Sequence, residues 1–303
     1  MRALVISGGG SKGAFAGGVA QYLIEEMHRD YDLYIGTSTG SLLVSHLALK
    51  KVDKIKKIYT SVNQKSIFSH NPFTITKKHG LTNVGINHFN VLLNFLRGKK
   101  TFGESVNLKV LLNNSLLKEE FLELKNSEKD IVVTVSNLSL NSIEYKSIKD
   151  FEYEEFIEWM WISCNYTPFM SLVVKNNCEY ADGGLGVIVP IEEAVRRGAK
   201  VIDVIVLQTE VTQFNKLPSK NPFSLLTNMF GFMLDRISHQ NIKIGKFSAN
   251  HSNAILNFYY TPIVLTTNSL IFDEQSMQKW WKSGFEYAKL KNKETSQLNI
   301  LDS

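Results

Sequence analysis

The spacing of apolar residues changes twice within the first fifty residues, and this pattern predicts a strand–helix–strand–helix unit. Residues 2–7 (RALVIS) and 31–37 (YDLYIGT) are short apolar runs, which are typical of buried strands. Residues 13–27 and 40–50 instead carry apolar side chains at helical spacing. This order predicts an α/β fold in which two parallel strands are joined by a right-handed crossover.

The rest of the chain continues the alternation of helices and strands. Residues 63–103, rich in Asn, Lys, Thr and His, have the weakest periodicity, and we interpret them as a variable insertion with a helix near 86–97 that would form a lid over the site. Repeats and Pro/Gly-rich linkers are absent from the sequence, so we interpret residues 1–303 as a single domain. The further predicted strands are 130–139, 142–148 and 201–209, and the further predicted helices are 52–62, 153–166, 222–236 and 274–291.

Composition limits the class of protein. Hydrophobic residues make up 44% and charged residues 21%, as in folded globular proteins. The net charge of +5 suits contact with an anionic membrane surface but is too modest to indicate nucleic acid binding. The chain has two cysteines, Cys164 and Cys178, no 20-residue apolar stretch and no signal-peptide pattern. We therefore expect a protein of the reducing cytoplasm that can contact the membrane surface peripherally. The sequence predicts no oligomeric state.

A glycine-rich loop follows the first predicted strand. Gly8, Gly10 and Gly13 fit G-x-G-x-x-G, the pattern of a dinucleotide-binding turn. Such a site needs an acidic residue at the end of the second strand, whereas Asp30 lies before that strand and Asp32 lies at its beginning. A nucleotide-binding module is therefore the less favoured hypothesis, to be tested by cofactor binding that does not depend on the serine described next.

The second strand ends in GTSTG, which is the G-x-S-x-G pattern of a nucleophile elbow. A serine at a sharp strand-to-helix turn needs small neighbours two residues away on either side, and Gly36 and Gly40 meet that need. The turn would present the Ser38 hydroxyl at the carboxyl edge of the sheet. We interpret Ser38 as the nucleophile of an acyl transfer reaction.

Acyl transfer at Ser38 would create an oxyanion, which backbone amides must stabilise. Gly8, Gly9 and Gly10 end the neighbouring strand and open a helix, so their amides are expected to face the same crevice. Lys12 either adds a positive charge nearby or is an ordinary solvated lysine of the first helical turn. The sequence thus assigns this loop to an oxyanion hole.

The base that would activate Ser38 is harder to identify. None of the seven histidines stands at a recognisable turn after a strand; they are His28, His46, His70, His79, His88, His239 and His251. Asp182 ends a short apolar strand and is followed by Gly183 and Gly184, an arrangement that is by itself common in turns.

In its motifs the chain resembles the patatin-like phospholipase family, which carries a glycine-rich oxyanion loop, a G-x-S-x-G elbow and a D-G-G/A motif in this order. They correspond here to 8–13 (GGGSKG), 36–40 (GTSTG) and 182–184 (DGG). The resemblance implies a three-layer α/β/α fold with a mainly parallel sheet, a Ser38–Asp182 dyad, and hydrolysis of lipid esters of the phospholipase A or lysophospholipase type through an acyl-enzyme. One departure is Val189, where many relatives have Asn before the proline, so that a supporting hydrogen bond is expected to be missing.

Other features bear on the substrate. An apolar stretch at 225–233 either lines an acyl tunnel or belongs to the ordinary core. A group of lysines at 50–57 and 99–100 either contacts anionic lipid headgroups or forms a solvated face. No calcium loop or metal-ligand cluster is visible, so we expect activity without metal or cofactor. An acyltransferase is the alternative function, although Thr37 stands where malonyl-transferase relatives have histidine. The apolar residues are Leu225, Leu226, Met229, Phe230, Phe232 and Met233, and the lysines are Lys50, Lys51, Lys54, Lys56, Lys57, Lys99 and Lys100.

Overall fold

A mixed β-sheet of eight strands forms the centre of the computed structural model, which describes residues 1–78, 81–211, 218–219 and 221–301. A separate two-stranded hairpin lies outside this sheet. The strands of the central sheet are β1 (Arg2–Ile6), β2 (Leu33–Thr37), β5 (Asp130–Asn137), β6 (Ser142–Ser147), β7 (Val173–Lys175), β8 (Cys178–Asp182), β9 (Val201–Val206) and β10 (Ile255–Tyr260), and those of the hairpin are β3 (Phe73–Lys78) and β4 (Leu81–Ile86).

Helices connect most of the strands. The first is continued by one π-helical turn at Tyr22–Glu26, and short 3-10 turns lie at Gly10–Lys12 and Gly183–Leu185. The α-helices are α1 (Gly13–Gln21), α2 (Thr39–Ala48), α3 (Val52–Thr60), α4 (Gln64–Ile67), α5 (His88–Leu96), α6 (Val106–Ser115), α7 (Lys118–Asn126), α8 (Tyr153–Ser163), α9 (Ile191–Arg196), α10 (Pro222–His251) and α11 (Glu274–Leu301).

Five neighbouring strands of the sheet are parallel, in the order β10, β9, β1, β2 and β5. Alternate residues of these strands face opposite sides. On β1, Leu4 and Ile6 belong to a core shared with α1, α2 and α11, whereas Ala3 and Val5 belong to a core shared with α9 and α10. Two packed cores on either side of one sheet give the three-layer α/β/α arrangement that the sequence predicts.

The register of β5 explains how two distant segments meet. On one edge of β5, Thr37 at the end of β2 pairs with Thr134, and Asp182 at the end of β8 pairs with Val135. Strand β2 runs parallel to β5 and β8 runs antiparallel to it, so the two strands approach each other end to end. The residue after β2 and the last residue of β8 are therefore neighbours in space.

Several element boundaries differ from the sequence prediction. Helix α10 continues to His251, beyond the predicted end at 236, because partly buried apolar residues such as Ile237 and Ile242 continue to pack on the sheet. Strand β10 was not predicted; it adds to the edge of the sheet beside β9. Within 63–103 the predicted helix corresponds to α5, but the β3–β4 hairpin was missed, and His79 lies outside the described residues.

Among the described residues, no helix combines the length and the apolar character that crossing a bilayer requires.

Candidate active site

Ser38 lies on the sharp turn between β2 and α2. Its backbone dihedral angles, φ 53° and ψ −121°, are strained for a residue with a side chain. A Cβ atom on Gly36 would lie 2.3 Å from the carbonyl carbon of Gly40, and one on Gly40 would lie 2.3 Å from the carbonyl oxygen of Ile6. Both glycines are thus required by close backbone approach, as the sequence pattern predicted for an elbow.

A serine from α8 holds this turn in place. The Ser38 amide donates to Ser163 Oγ at 3.1 Å, and Ser163 Oγ donates to the Thr134 carbonyl at 2.6 Å. Ser41 Oγ donates to the Gly36 carbonyl at 2.9 Å. Sequence reasoning assigned no role to Ser163, because its partners are 29 and 125 residues away along the chain.

The Ser38 hydroxyl donates a hydrogen bond of 2.6 Å to Asp182 Oδ2. The other carboxylate oxygen, Oδ1, accepts a hydrogen bond of 2.7 Å from the Gly184 amide. Gly183 packs its backbone against Thr134, since a Cβ there would lie 2.3 Å from the Thr134 carbonyl oxygen. In the D-G-G sequence, the Gly184 amide therefore holds the Asp182 carboxylate, and Gly183 allows the backbone to pass close to β5.

Asp182 is 3% exposed. Burial raises the pKa of its carboxyl from the ordinary 3.8 to about 7, while the hydrogen bonds from Ser38 and Gly184 act in the opposite direction. No lysine or arginine of the described residues hydrogen-bonds to this carboxylate. A carboxyl group in this setting is basic enough to accept a proton from a serine hydroxyl near neutral pH.

The glycine-rich loop lies beside this pair. A Cβ on Gly8 would lie 3.2 Å from the Ser38 Cβ atom. The Gly8 amide itself donates to the Ile188 carbonyl at 3.1 Å, so Gly8 is not an available oxyanion donor, contrary to the sequence assignment. The amides of Gly9 and Gly10 donate to no acceptor within the described residues, so these two remain as candidate donors.

The conformation of the loop is fixed from two sides. Gly10 has φ +56°, and a Cβ there would lie 2.2 Å from the Ser269 carbonyl oxygen, to which the Ser11 amide also donates at 2.8 Å. From the other side, the Tyr59 hydroxyl of α3 donates to the Gly10 carbonyl at 2.7 Å. Gly13 begins α1 and packs closely against the Tyr59 hydroxyl. These contacts hold the loop before any ligand binds.

Lys12 also lies on the cavity wall. Its Nζ atom donates to the Leu207 carbonyl at 2.5 Å. Burial lowers the pKa of Lys12 to about 8, and the charge of Asp235 opposes this shift. Lys12 is therefore not an ordinary solvated lysine, and its charge changes close to neutral pH.

The Ser38 side chain opens into a cavity of about 640 Å³. One wall is apolar, and it comes from α2, α3, α4, the β3–β4 hairpin and α6. Another part of the lining is largely polar and comes from the start of α10. The exposed lining residues place the opening between the start of α10 and the loop after β10. The apolar wall includes Leu42, Ile55, Ile58, Ile67, Phe73, Val84, Leu108, Leu111 and Leu112, the polar wall includes Asn221, Ser224, Thr227 and Asn228, and the exposed lining residues are Pro218, Asn221, Val264 and Thr267.

The apolar stretch of α10 that the sequence offered as an acyl tunnel is not the cavity wall. Of its six residues, Phe230 alone lines the cavity. The helix turns the others away because the cavity takes the adjacent face of α10. The members that are exposed to solvent are Leu225, Met229, Phe232 and Met233.

Most of the lysines that the sequence analysis named as a headgroup site are paired with carboxylates. Lys51 and Lys54 both bind Glu120, and Lys50 pairs with Asp30. Lys99 and Lys100 pair with glutamates. Five of the seven lysines thus have a carboxylate partner within the protein, and Lys51 and Lys54 share one.

Two further sequence expectations concern side chains near the site. His239 lines the cavity, and its Nδ1 atom bonds the Asp235 carbonyl at 2.7 Å, but no histidine among the described residues hydrogen-bonds to Ser38 or Asp182. The support expected to be lost at Val189 comes from α10, where Asn241 Oδ1 accepts from the Ile188 and Val189 amides. In the described residues no group of three or more His, Cys, Asp or Glu side chains is placed to hold a metal ion.

The fold and the turn at Ser38 together define a three-layer α/β/α protein with a serine exposed at a sharp strand-to-helix turn. The sequence model described as patatin-like phospholipase matches residues 4–195, which is more than half of the chain. The chain therefore belongs to the patatin-like phospholipase family.

Comparison with solved structures agrees with this fold. The chain is similar to VipD from Legionella pneumophila, with a TM-score of 0.52 and 14% sequence identity. The match covers 95% of this chain and 66% of that chain, so this chain spans just under two thirds of the VipD chain. A comparison with curated proteins gives no significant match.

Proposed function

We propose that the protein hydrolyses fatty acyl esters of phospholipids or lysophospholipids through a Ser38–Asp182 dyad and an acyl-enzyme intermediate. The observation that carries the proposal is the 2.6 Å hydrogen bond from the Ser38 hydroxyl to a buried carboxylate. Burial gives this carboxylate the basicity that a histidine supplies in other serine hydrolases.

In the first step the Ser38 oxygen attacks the ester carbonyl carbon, and its proton passes to Asp182. The carbonyl oxygen becomes an oxyanion, which the Gly9 and Gly10 amides stabilise. When the tetrahedral intermediate collapses, the alcohol portion of the lipid leaves with the proton from Asp182, and the acyl group stays on Ser38.

In the second step water replaces the alcohol. Asp182 accepts a proton from water as the water oxygen attacks the acyl carbon. Collapse of this intermediate returns the proton to Ser38 and releases the fatty acid. No metal or cofactor takes part in the proposed steps.

The two walls of the cavity give the substrate an orientation. The acyl chain would lie on the apolar wall under α3 and α6, because apolar surface removed from water there contributes to binding. The glycerol and headgroup would face the polar wall at the start of α10 and the opening.

Leu111→Trp, which fills part of the apolar wall, should therefore lower kcat/KM for long acyl chains at least tenfold more than for short ones. Val110→Trp on the exposed face of the same helix is the control.

A fluorophosphonate lipid analogue tests the nucleophile. It should add its mass to Ser38 in the wild type and to no residue in Ser38→Ala. Labelling of another residue, or hydrolysis by Ser38→Ala at the wild-type rate, would refute the assignment.

Lipid products distinguish hydrolysis from acyl transfer. Wild type and Ser38→Ala are incubated with mixed phospholipids and neutral lipids, with and without an acceptor alcohol. Free fatty acid from the wild type alone supports the hydrolase, and acyl transfer to the acceptor in preference to water would make the protein an acyltransferase.

A further inference from the structure

Two helices beside the cavity expose apolar side chains that the catalytic proposal does not use. We name the following eight residues the apolar rim. On α10 they are Leu225, Met229, Phe232 and Met233, and on α5 they are Phe89, Leu92, Phe95 and Leu96. Phe232 is 63% exposed, and all eight are classed among the exposed side chains of the structure. On each helix the four residues recur at helical spacing and so share one face, and exposed apolar surface of this kind marks an interaction site.

A chain of aromatic contacts connects α5 and α10, the two helices that carry the apolar rim. Phe95 on α5 contacts Phe102, with ring centroids 6.1 Å apart, and Phe102 contacts Phe169 at 5.8 Å. Phe169 in turn contacts Phe223 and Phe230 of α10 at 5.9 Å and 5.8 Å. Since Phe169 and Phe230 also line the cavity, the apolar rim is continuous with the wall of the proposed lipid site.

The apolar rim also adjoins the opening of the cavity. Helix α10 places Asn221 at the opening and Leu225 one turn further on. Across the opening, the loop after β10 exposes Ile263 and Val264. A lipid that enters the cavity would therefore pass between apolar side chains on both sides.

The charge pattern indicates what kind of surface the apolar rim fits. Residues 222–234 of α10 and all of α5 contain no Lys, Arg, Asp or Glu. Just after α5, Lys99 and Lys100 pair with Glu104 and Glu179, and Arg97 contacts the His70 ring. Uncharged apolar helices fit the boundary between lipid headgroups and acyl chains, whereas a purely electrostatic contact would need free cations.

We infer that the apolar rim inserts into the surface of a phospholipid bilayer and holds the opening of the cavity against it. This inference rests on the proposed lipid hydrolase function. It replaces the lysine face of the sequence analysis as the membrane contact. Because insertion is apolar, binding should not need anionic lipid and should persist at high salt.

Vesicle flotation tests the inference without relying on catalysis. Ser38→Ala protein is mixed with phosphatidylcholine vesicles in 0.1 M and about 0.5 M NaCl. We expect binding at both salt concentrations. Met229→Ser/Phe232→Ser and Phe89→Ser/Leu96→Ser, each in the Ser38→Ala background, should lower the partition coefficient at least tenfold.

The matched control is Phe247→Ser. Phe247 is 76% exposed on the same helix, but it lies 15 residues beyond Phe232, about 22 Å along the axis. This variant should bind vesicles like the parent. Equal loss in Phe247→Ser and in the rim variants would overturn the inference, because it would show a general effect of exposed apolar residues.

Activity measurements separate this inference from the proposed function. With Ser38 restored, the rim variants should hydrolyse a monomeric short-chain ester at the wild-type rate but vesicle phospholipid at least tenfold more slowly. Hydrolysis of the monomeric ester without vesicle binding would overturn the membrane contact alone, and vesicle binding without hydrolysis of any ester would overturn the proposed function alone. Sedimentation supplies one more outcome: a dimer that the rim variants dissociate, with no vesicle binding, would make the rim a self-association surface and refute the inference.

Discussion

Replacing Asp182 with asparagine should abolish turnover and make the folded protein more stable. The asparagine has the shape of the aspartate, so its side-chain oxygen can still accept from the Gly184 amide and its NH₂ group can face Ser38. What is lost is the base. General base catalysis contributes about 10²- to 10⁴-fold to rate, so we expect kcat to fall by at least about 10²-fold.

The gain in stability follows from the pKa of the wild-type carboxyl. In the unfolded chain it ionises near its ordinary 3.8, whereas in the folded protein it ionises at about 7. Between these two pH values the folded state holds a proton that the unfolded state has lost, so wild-type stability falls as pH rises and levels off above about 7. A difference of about three pH units corresponds to about 4 kcal/mol, because each unit is worth about 1.4 kcal/mol.

Urea unfolding of the wild type and Asp182→Asn at several pH values measures this difference. The variant should gain between about 1 and 2 kcal/mol at pH 5 and about 4 kcal/mol at pH 8. Parallel curves for the two proteins would mean that the carboxyl ionises in the folded state as it does in water, and would refute the argument that burial creates the base. Asp203→Asn is the matched control. Asp203 is equally buried but binds Arg29 at 2.7 Å, so removing its charge should destabilise the protein.

Three further predictions concern the groups around the dyad. Ser163→Ala removes the acceptor of the Ser38 amide and should lower kcat about tenfold with KM little changed. The control is Ser45→Ala, which removes a buried hydroxyl that has no partner among the described residues. It should leave kcat and KM unchanged. Gly10→Ala should lower kcat/KM at least about tenfold, because the added Cβ atom meets the Ser269 carbonyl. The control is Gly98→Ala, also at positive φ but in open space, which should cost about 1 kcal/mol of stability and leave activity unchanged. Equal activities of the two variants would contradict this account of the loop. In the wild type, kcat/KM should rise as pH approaches about 7, where Asp182 ionises, and fall above about 8 as Lys12 loses its charge. The Lys12→Met variant should lack the fall above pH 8. An unchanged pH profile in this variant would show that the charge of Lys12 plays no part.

Local sequence patterns predicted the parts of the site that lie on single turns. Gly36, Ser38 and Gly40 stand at fixed spacing between a strand and a helix, and the backbone contacts of one elbow account for all three. The same holds for Asp182 and Gly184, which share one turn. Short-range sterics leave a readable sequence pattern because few residue types tolerate such close approach.

Partners supplied by distant segments left no comparable pattern. Ser163 and Asn241 are ordinary polar residues within helices, and their roles depend on how α8 and α10 pack on the sheet. The Gly8 amide was misassigned for the same reason, because its acceptor on Ile188 lies 180 residues away and is brought near by the sheet alone. Helical periodicity likewise identified α10 as apolar, yet it did not show which of its faces would meet the cavity.

The two buried aspartates show why the chemistry of a carboxylate cannot be assigned from its own sequence neighbourhood. Both end up inside the protein on strands of the same sheet, Asp203 on β9 and Asp182 at the end of β8. Asp203 receives Arg29, Tyr31 and Asn257, so its charge is compensated and it joins segments of the fold. Asp182 receives a serine hydroxyl and one amide, which together compensate less than burial costs, and its pKa rises. The difference between a charge-compensated carboxylate and one with a raised pKa is therefore made by the partners that the topology supplies.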